Sequence, residues 1–223
     1  MISRFRREVY QSFEQRADSG MNLIDALSSA LTVESPVAQS ESPLFQRRFS
    51  SVYDFLKQGR IELTQLRKVL DRSQPEDAQE IAGFEVYAVD CTDDPVADAE
   101  TLADRMRSKK GGHAPDEVIH RYSWLARLVA WRTSWCMPQD VQRVPTQSTD
   151  STVGAEQVTA LVERNDRPKV VVADSRYCNV IFLTAFLTAQ KLYALVRMRS
   201  NRILHEEAPE REPGQRGRPR QQG

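Results

Sequence analysis

Lys169-Val170-Val171-Val172-Ala173-Asp174 is the stretch on which the fold turns. Its β-branched valines suit a strand, and an apolar run without alternation predicts one buried on both faces. The run stops at a carboxylate. An earlier stretch, Phe84-Glu85-Val86-Tyr87-Ala88-Val89-Asp90, has the same texture and also ends in Asp. Carboxylates that close strands face the crevice at the carboxyl edge of a sheet, where open α/β folds put their sites.

The intervening chain supplies the rest of a sheet. Residues 92–95 read as a turn and 97–106 as a short helix, and Lys109-Lys110-Gly111-Gly112 is a turn. Residues 122–131 and 133–137, rich in Trp, Leu and Val, read as two more strands. Residues 151–164 show a helical period with Val153, Val158, Leu161 and Val162 on one face. A helix over 179–190 and a fifth strand over 192–198 follow. The order is three strands, helix, strand, helix, strand. A meander extended in parallel through helical crossovers is the order of a ribonuclease-H-like mixed sheet, which gives an α/β fold class.

Upstream, residues 1–72 carry apolar residues three and four apart: Phe5, Val9 and Phe13, then Leu23, Ile24, Leu27 and Leu31, then Phe49, Val52, Tyr53 and Leu56. Pro36 and Pro43 bracket a polar break, and no strand pattern is visible, so a small all-helical domain is expected there. Residues 73–80 read as a linker, and 81–204 as the sheet-bearing part. Residues 205–223, full of Pro, Gly, Glu and Arg, cannot pack a core and are expected to be a loop or tail.

Composition limits the function classes. With 223 residues, 40% hydrophobic, the chain holds one sizeable core and a smaller one. A formal net charge of zero means that nucleic-acid binding rests on local patches. Arg47-Arg48 before a helix, Lys109-Lys110 at a turn and Arg176 after the second Asp are the candidate DNA or phosphate contacts. Cys91, Cys136 and Cys178 form no CxxC pair, and the three histidines have no zinc spacing, so reduced thiols in a cytoplasmic protein are expected. The longest apolar stretch, 180–189, is too short to span a bilayer. Trp124, Trp131 and Trp135 are expected to pack the core, and His120, buried or at the surface, to hold a backbone partner.

If the first and fourth strands are neighbours, Asp90 and Asp174 meet. Two like charges so placed repel unless a cation neutralises them. Mg²⁺ or Mn²⁺ suits two hard carboxylates completed by water and substrate phosphate. Ordinary turn or cap roles for each Asp are the competing reading. Asp93 and Asp94 read as a solvated turn.

The segments EVYAVDCTDDP, HRYSWLARLVAW, TSWCMPQDVQRV, VVVADSRYCN and LYALVRMRSNRIL resemble bacterial insertion-sequence transposases of the DDE superfamily. The closer likeness is to the cut-and-paste group with an insertion after the fifth strand. ESPVAQSESPLFQRRFSSVYDFL is similar to the helical DNA-binding domain of the same proteins. The resemblance implies Asp90 and Asp174 as catalytic metal ligands and Mg²⁺ or Mn²⁺ as cofactor. It implies element-end and target double-stranded DNA as partner, a homodimer in full-length form, and a nucleoid-associated location in the cytoplasm. It also implies a third acid, usually Glu, on a helix beyond the insertion. The late acids Glu206, Glu207, Glu210 and Glu212 lie among prolines, so a C-terminally truncated copy, active or inactive, is expected. A DNA-binding remnant acting as an inhibitor and an unrelated ribonuclease-H-like nuclease are the alternatives.

Overall fold

The computed structural model describes residues 2–32, 35–74, 80–96, 101–108, 117–129 and 136–201. Lys109, Lys110, Trp131, Trp135, most of the expected linker and the 205–223 segment with its late acids lie outside the described residues. The chain divides into two units. One comprises residues 1–80 with 126–140; the other comprises 81–125 and 141–223.

The first unit is built from α1 (Ile2–Gln11), β1 (Phe13–Gln15), α2 (Ala17–Ser29), α3 (Pro36–Ser40), α4 (Ser50–Gln58), β2 (Arg60–Ile61) and α5 (Leu63–Arg72). It is not all-helical. β1 and β2 pair antiparallel, with Phe13 opposite Ile61. Strands this short leave no alternation for a sequence to show. The polar break also holds a helix. Pro36 starts α3 with its pre-set φ, and the Ser35 side chain accepts from the Ala38 N–H. The apolar spacing does its expected work: Val9, Phe13, Met21 and Val69 form one buried cluster, and Leu23, Phe45 and Val52 another. Arg67 Nη2 bonds Asp140 Oδ1 at 2.7 Å, and Gln74 Nε2 donates to Gln139 Oε1 at 3.0 Å, tying α5 to the 126–140 segment.

The second unit carries the sheet. The strands of the sheet are β3 (Glu85–Pro95), β4 (Met106–Ser108), β5 (Glu117–Leu128), β6 (Cys136–Arg143), β7 (Lys169–Ala173) and β8 (Leu192–Val196), of which β5 ends and β6 begins in the stretch assigned to the first unit. The helices α6 (Asp150–Val162) and α7 (Val180–Leu187) connect the later ones. The order is β4-β5-β3-β7-β8, with β6 also paired to β5. β3, β7 and β8 are mutually parallel. Taken without the short β4, this is the order of a ribonuclease-H-like mixed sheet.

Several boundaries differ from expectation. The β3 strand runs through the expected turn at 92–95, because its second half is paired on the β5 side, where the Val96 N–H bonds Val118 O at 2.9 Å. Met106 belongs to strand β4, not to a helix; Asp104, at φ 59, is incompatible with one there. The expected second strand begins earlier, at Glu117. The expected third lies later, over Cys136–Arg143, a polar strand that tolerates Pro138. Trp124 is 39% exposed rather than packed, and Val162 faces solvent. His120 is buried, with Nε2 2.9 Å from the Ala103 carbonyl.

The α6 and α7 helices cover one face of the sheet. Tyr87, Val89, Val171 and Ala173 pack there against Val158, Leu161 and Phe182. The opposite face of β7 is only half-buried at Val170 and Val172, so this strand is not enclosed on both sides. The α6 helix starts at Thr149, whose side chain accepts from the Thr152 N–H at 3.1 Å. Thr149→Ala is expected to cost about 1 kcal/mol of stability in urea unfolding, the usual loss for a hydroxyl cap. Gly154 on α6 lets Tyr177 approach: a Cβ there would lie 2.9 Å from Tyr177 Cε1.

Candidate active site

Asp90 and Asp174 take equivalent places on neighbouring parallel strands. Val89 is the register partner of Ala173, and each aspartate is the next residue. Adjacent strands lie about 4.8 Å apart, and alternation sends both side chains to the face that α6 and α7 leave open. Asp174 follows the last residue of its strand. Asp90 does not end β3; it sits mid-strand, where pairing with β7 stops and the β5 side carries on.

Both carboxylates are exposed, and each is oriented by one backbone N–H. Asp90 Oδ1 accepts from Cys91 N at 2.8 Å, and Asp174 Oδ1 accepts from Arg176 N at 2.8 Å. One oxygen of each carboxylate is thus held, and Oδ2 is left for another ligand. Among the described residues neither has a cationic side-chain partner. Two aimed, hard, anionic oxygen donors on one face fit a Mg²⁺ or Mn²⁺ ion that keeps most of its remaining positions for water and phosphate. No group of three or more His, Cys, Asp or Glu side chains is arranged to hold a metal ion among the described residues.

On the helix-covered face, beneath the pair, lies a contact that sequence patterns did not reveal. Cys91 Sγ is 3.1 Å from Tyr177 Oη. It joins the residue after Asp90 to the loop after Asp174. Burial pushes both the Cys91 thiol and the Tyr177 phenol upward, so both stay protonated at neutral pH. They act as neutral packing partners. Only long-range pairing brings these residues together, so no local spacing could have marked them.

Around this contact runs a balanced ionic network. Arg121 grips Asp93 with Nε and Nη2 at 2.7 and 3.1 Å, and Ser108 Oγ adds a bond of 3.0 Å to Asp93. Asp150, in the first turn of α6, lies 3.7 Å from Arg121 Nη1 and 3.4 Å from Arg176 Nη1. The Arg176 guanidinium therefore points at Asp150, while its backbone serves Asp174. Asp93 is a paired strand residue rather than a solvated turn former. The Arg121 hydrogen bonds hold its carboxyl below the usual range. Its stabilising contribution is present above the unfolded pKa near 4 and is lost as pH falls through the lower folded value. Asp93→Asn should cost about 1 kcal/mol at neutral pH, the small yield of a part-exposed pair. The gap to the unsubstituted chain should close on acidification below about pH 4, read by urea unfolding at several pH values.

Arg47 pairs with Asp18 and Arg48 is exposed; both belong to the first unit. No helix among the described residues is long and apolar enough to cross a membrane.

The family described as DDE superfamily endonuclease matches the chain over residues 8–223. No curated protein matches it.

Proposed function

We infer that this chain, which belongs to the DDE superfamily endonuclease family, is a transposase that cuts and joins double-stranded DNA at the ends of an insertion sequence. The observation that carries the reading is the register of β3 and β7, Val89 with Ala173, which puts Asp90 and Asp174 side by side on an open face.

In this reading Asp90 and Asp174 hold Mg²⁺ or Mn²⁺ through the oxygens that the backbone N–H groups leave free. Such ions activate water and neutralise charge on the leaving oxygen of a phosphodiester. The chain's own part is placement. Two strands fix the spacing of the carboxylates, and the Cys91–Tyr177 contact ties together the segments that follow them. Tyr177 is fully buried and Cys91 shields its hydroxyl, so no covalent tyrosyl bond to DNA is part of the scheme.

Double-stranded DNA is the partner required. The helical first unit, with Arg47 and Arg48, is assigned to grip it through phosphates, and Lys109 and Lys110 are assigned as further contacts, with Arg176 joining them only by leaving Asp150. A homodimer in the cytoplasm is part of the same reading, because joining two ends needs two sites. The test is nicking of supercoiled DNA with Mg²⁺ or Mn²⁺, beside a binding assay in chelator. Metal-dependent nicking supports the reading. DNA binding without nicking at any metal concentration favours a non-catalytic binding protein and overturns it.

A further inference from the structure

The third strand of the parallel set continues the acidic row. Val196 on β8 is the register partner of Ala173, and the Arg197 N–H bonds the Ala173 carbonyl at 3.1 Å, the last rung of the ladder. Residues 90, 174 and 197 therefore occupy one row across β3, β7 and β8. Alternation sets their side chains on the same face, since Val196, one residue earlier, packs with the core on the other face. Below the row that face is apolar, with Val86, Ala88, Val170, Val172 and Leu195. Phe84 and Tyr193 close its far end, ring centroids 5.6 Å apart and edge to face.

Among the described residues, charge bookkeeping leaves Arg197 and Arg199 unpaired at this edge, and of the two Arg197 is the one in register with the aspartates. Asp93 and Asp150 neutralise Arg121 and Arg176. Arg197 is exposed, and its guanidinium has no hydrogen-bond or ion-pair partner among the described residues. It is not folded down onto Asp174, although only one strand spacing separates their backbones. A guanidinium presents a planar fork that matches two oxygens of a phosphate, which a single carboxylate pair with its cation cannot grip from the side.

We propose that Arg197 is a phosphate-binding residue of the site, taking the non-bridging oxygens of the phosphodiester seated on the Asp90–Asp174 pair. This rests on the reading of that pair as a metal-binding active site. The row then reads carboxylate, carboxylate, guanidinium: two positions for the cation and one for the anion it shares with the substrate. The ligand class is a nucleic-acid phosphodiester, and Arg197 ties the binding of metal and DNA together.

The consequence is a coupling with a definite sign. Without DNA, Arg197 is a like charge beside the cation site, so Arg197→Ala should bind Mn²⁺ as well as the unsubstituted chain or several-fold more tightly. With DNA present, the unsubstituted chain should gain about 10–100-fold in Mn²⁺ affinity, and R197A should lose most of that gain. Arg197→Lys, which keeps the charge and loses the fork, should fall between.

The experiment measures Mn²⁺ affinity from the electron paramagnetic resonance signal of the free ion, with and without a short duplex oligonucleotide, on the full chain. Unsubstituted, D174N, R197A and R197K proteins are compared, with circular dichroism reporting folding. Mn²⁺ binding that depends on Asp174, with DNA coupling that depends on Arg197, is the expected result. Binding lost in D174N but coupling unchanged in R197A overturns the role of Arg197 alone. An unsubstituted chain that binds no Mn²⁺ overturns the acid-pair reading, and the role of Arg197 with it.

Discussion

Asp174→Asn is expected to lower metal-dependent DNA cleavage on the order of 10³-fold or more, with Asp90→Asn having a similar effect. The argument is one of donor count. Among the described residues the two carboxylates supply the only side-by-side, exposed acidic oxygens at this edge of the parallel strands, and each already has one oxygen held by a backbone N–H. Asparagine keeps the acceptor for that N–H and fills the same space, so the loop after β7 keeps its turn. What it removes is one full negative charge facing the cation. Since each acid contributes to one shared site, the double variant should be little worse than either single one. Stability should not fall, because the substitution relieves repulsion between like charges. Cleavage by D174N at more than a tenth of the unsubstituted rate, with melting unchanged, would remove Asp174 from the site.

The largest effect on stability is expected at the other end of the same two strands. Glu85 and Lys169 are register partners, each only 2% exposed. Glu85 accepts from the Tyr87 hydroxyl at 3.0 Å and from Asn165 Nδ2 at 3.4 Å. Lys169 Nζ donates to Asn165 O and Oδ1, both at 2.8 Å, and to Arg167 O at 2.9 Å. Lys169→Met fills the volume but leaves three acceptors without their donor, and the buried Glu85 carboxylate then faces an apolar register partner, with Arg167 Nη1 3.9 Å from its Oε1. Removing one partner of such a set costs about 3–5 kcal/mol, and a unit of this size melts about 2–4 °C lower for each kcal/mol. A melting temperature at least about 6 °C lower is the expected result. Adding Glu85→Gln should recover part of it, because no charge is then buried opposite the apolar side chain. A single variant that melts within 2 °C of the parent, on the order of 1 kcal/mol, would show the network to be solvated.

These two ends differ in how far the sequence discloses them. The 169–173 valine run and its terminal Asp are a local signal, and so is the similar run before Asp90. Their juxtaposition follows once the strand order places the two runs side by side. The bounds of β5 and β6 are masked in the sequence, because Glu117, His120 and Arg121 lie at the start of one, and Gln139, Asp140 and Gln142 fill the other. Polar residues are tolerated where a sheet face is open or a long-range partner is supplied, as Asp93 is for Arg121. The β1–β2 pair is too short for periodicity. The continuation of β3 past Asp90 depends on pairing on its β5 side and not on its own residues, which include the turn formers Asp93, Asp94 and Pro95. The polar set of Glu85 and Lys169 looks in sequence like two ordinary charged residues at strand starts. Only burial turns them into a network.

The acid pair is tested most directly by diffraction from crystals soaked in Mn²⁺, with data collected at the manganese absorption edge. The proposed function predicts an anomalous peak between the two strands, about 2.1 Å from a free carboxylate oxygen of both Asp90 and Asp174. A peak bound to neither aspartate, or no peak while the carboxylates stand apart, would contradict it.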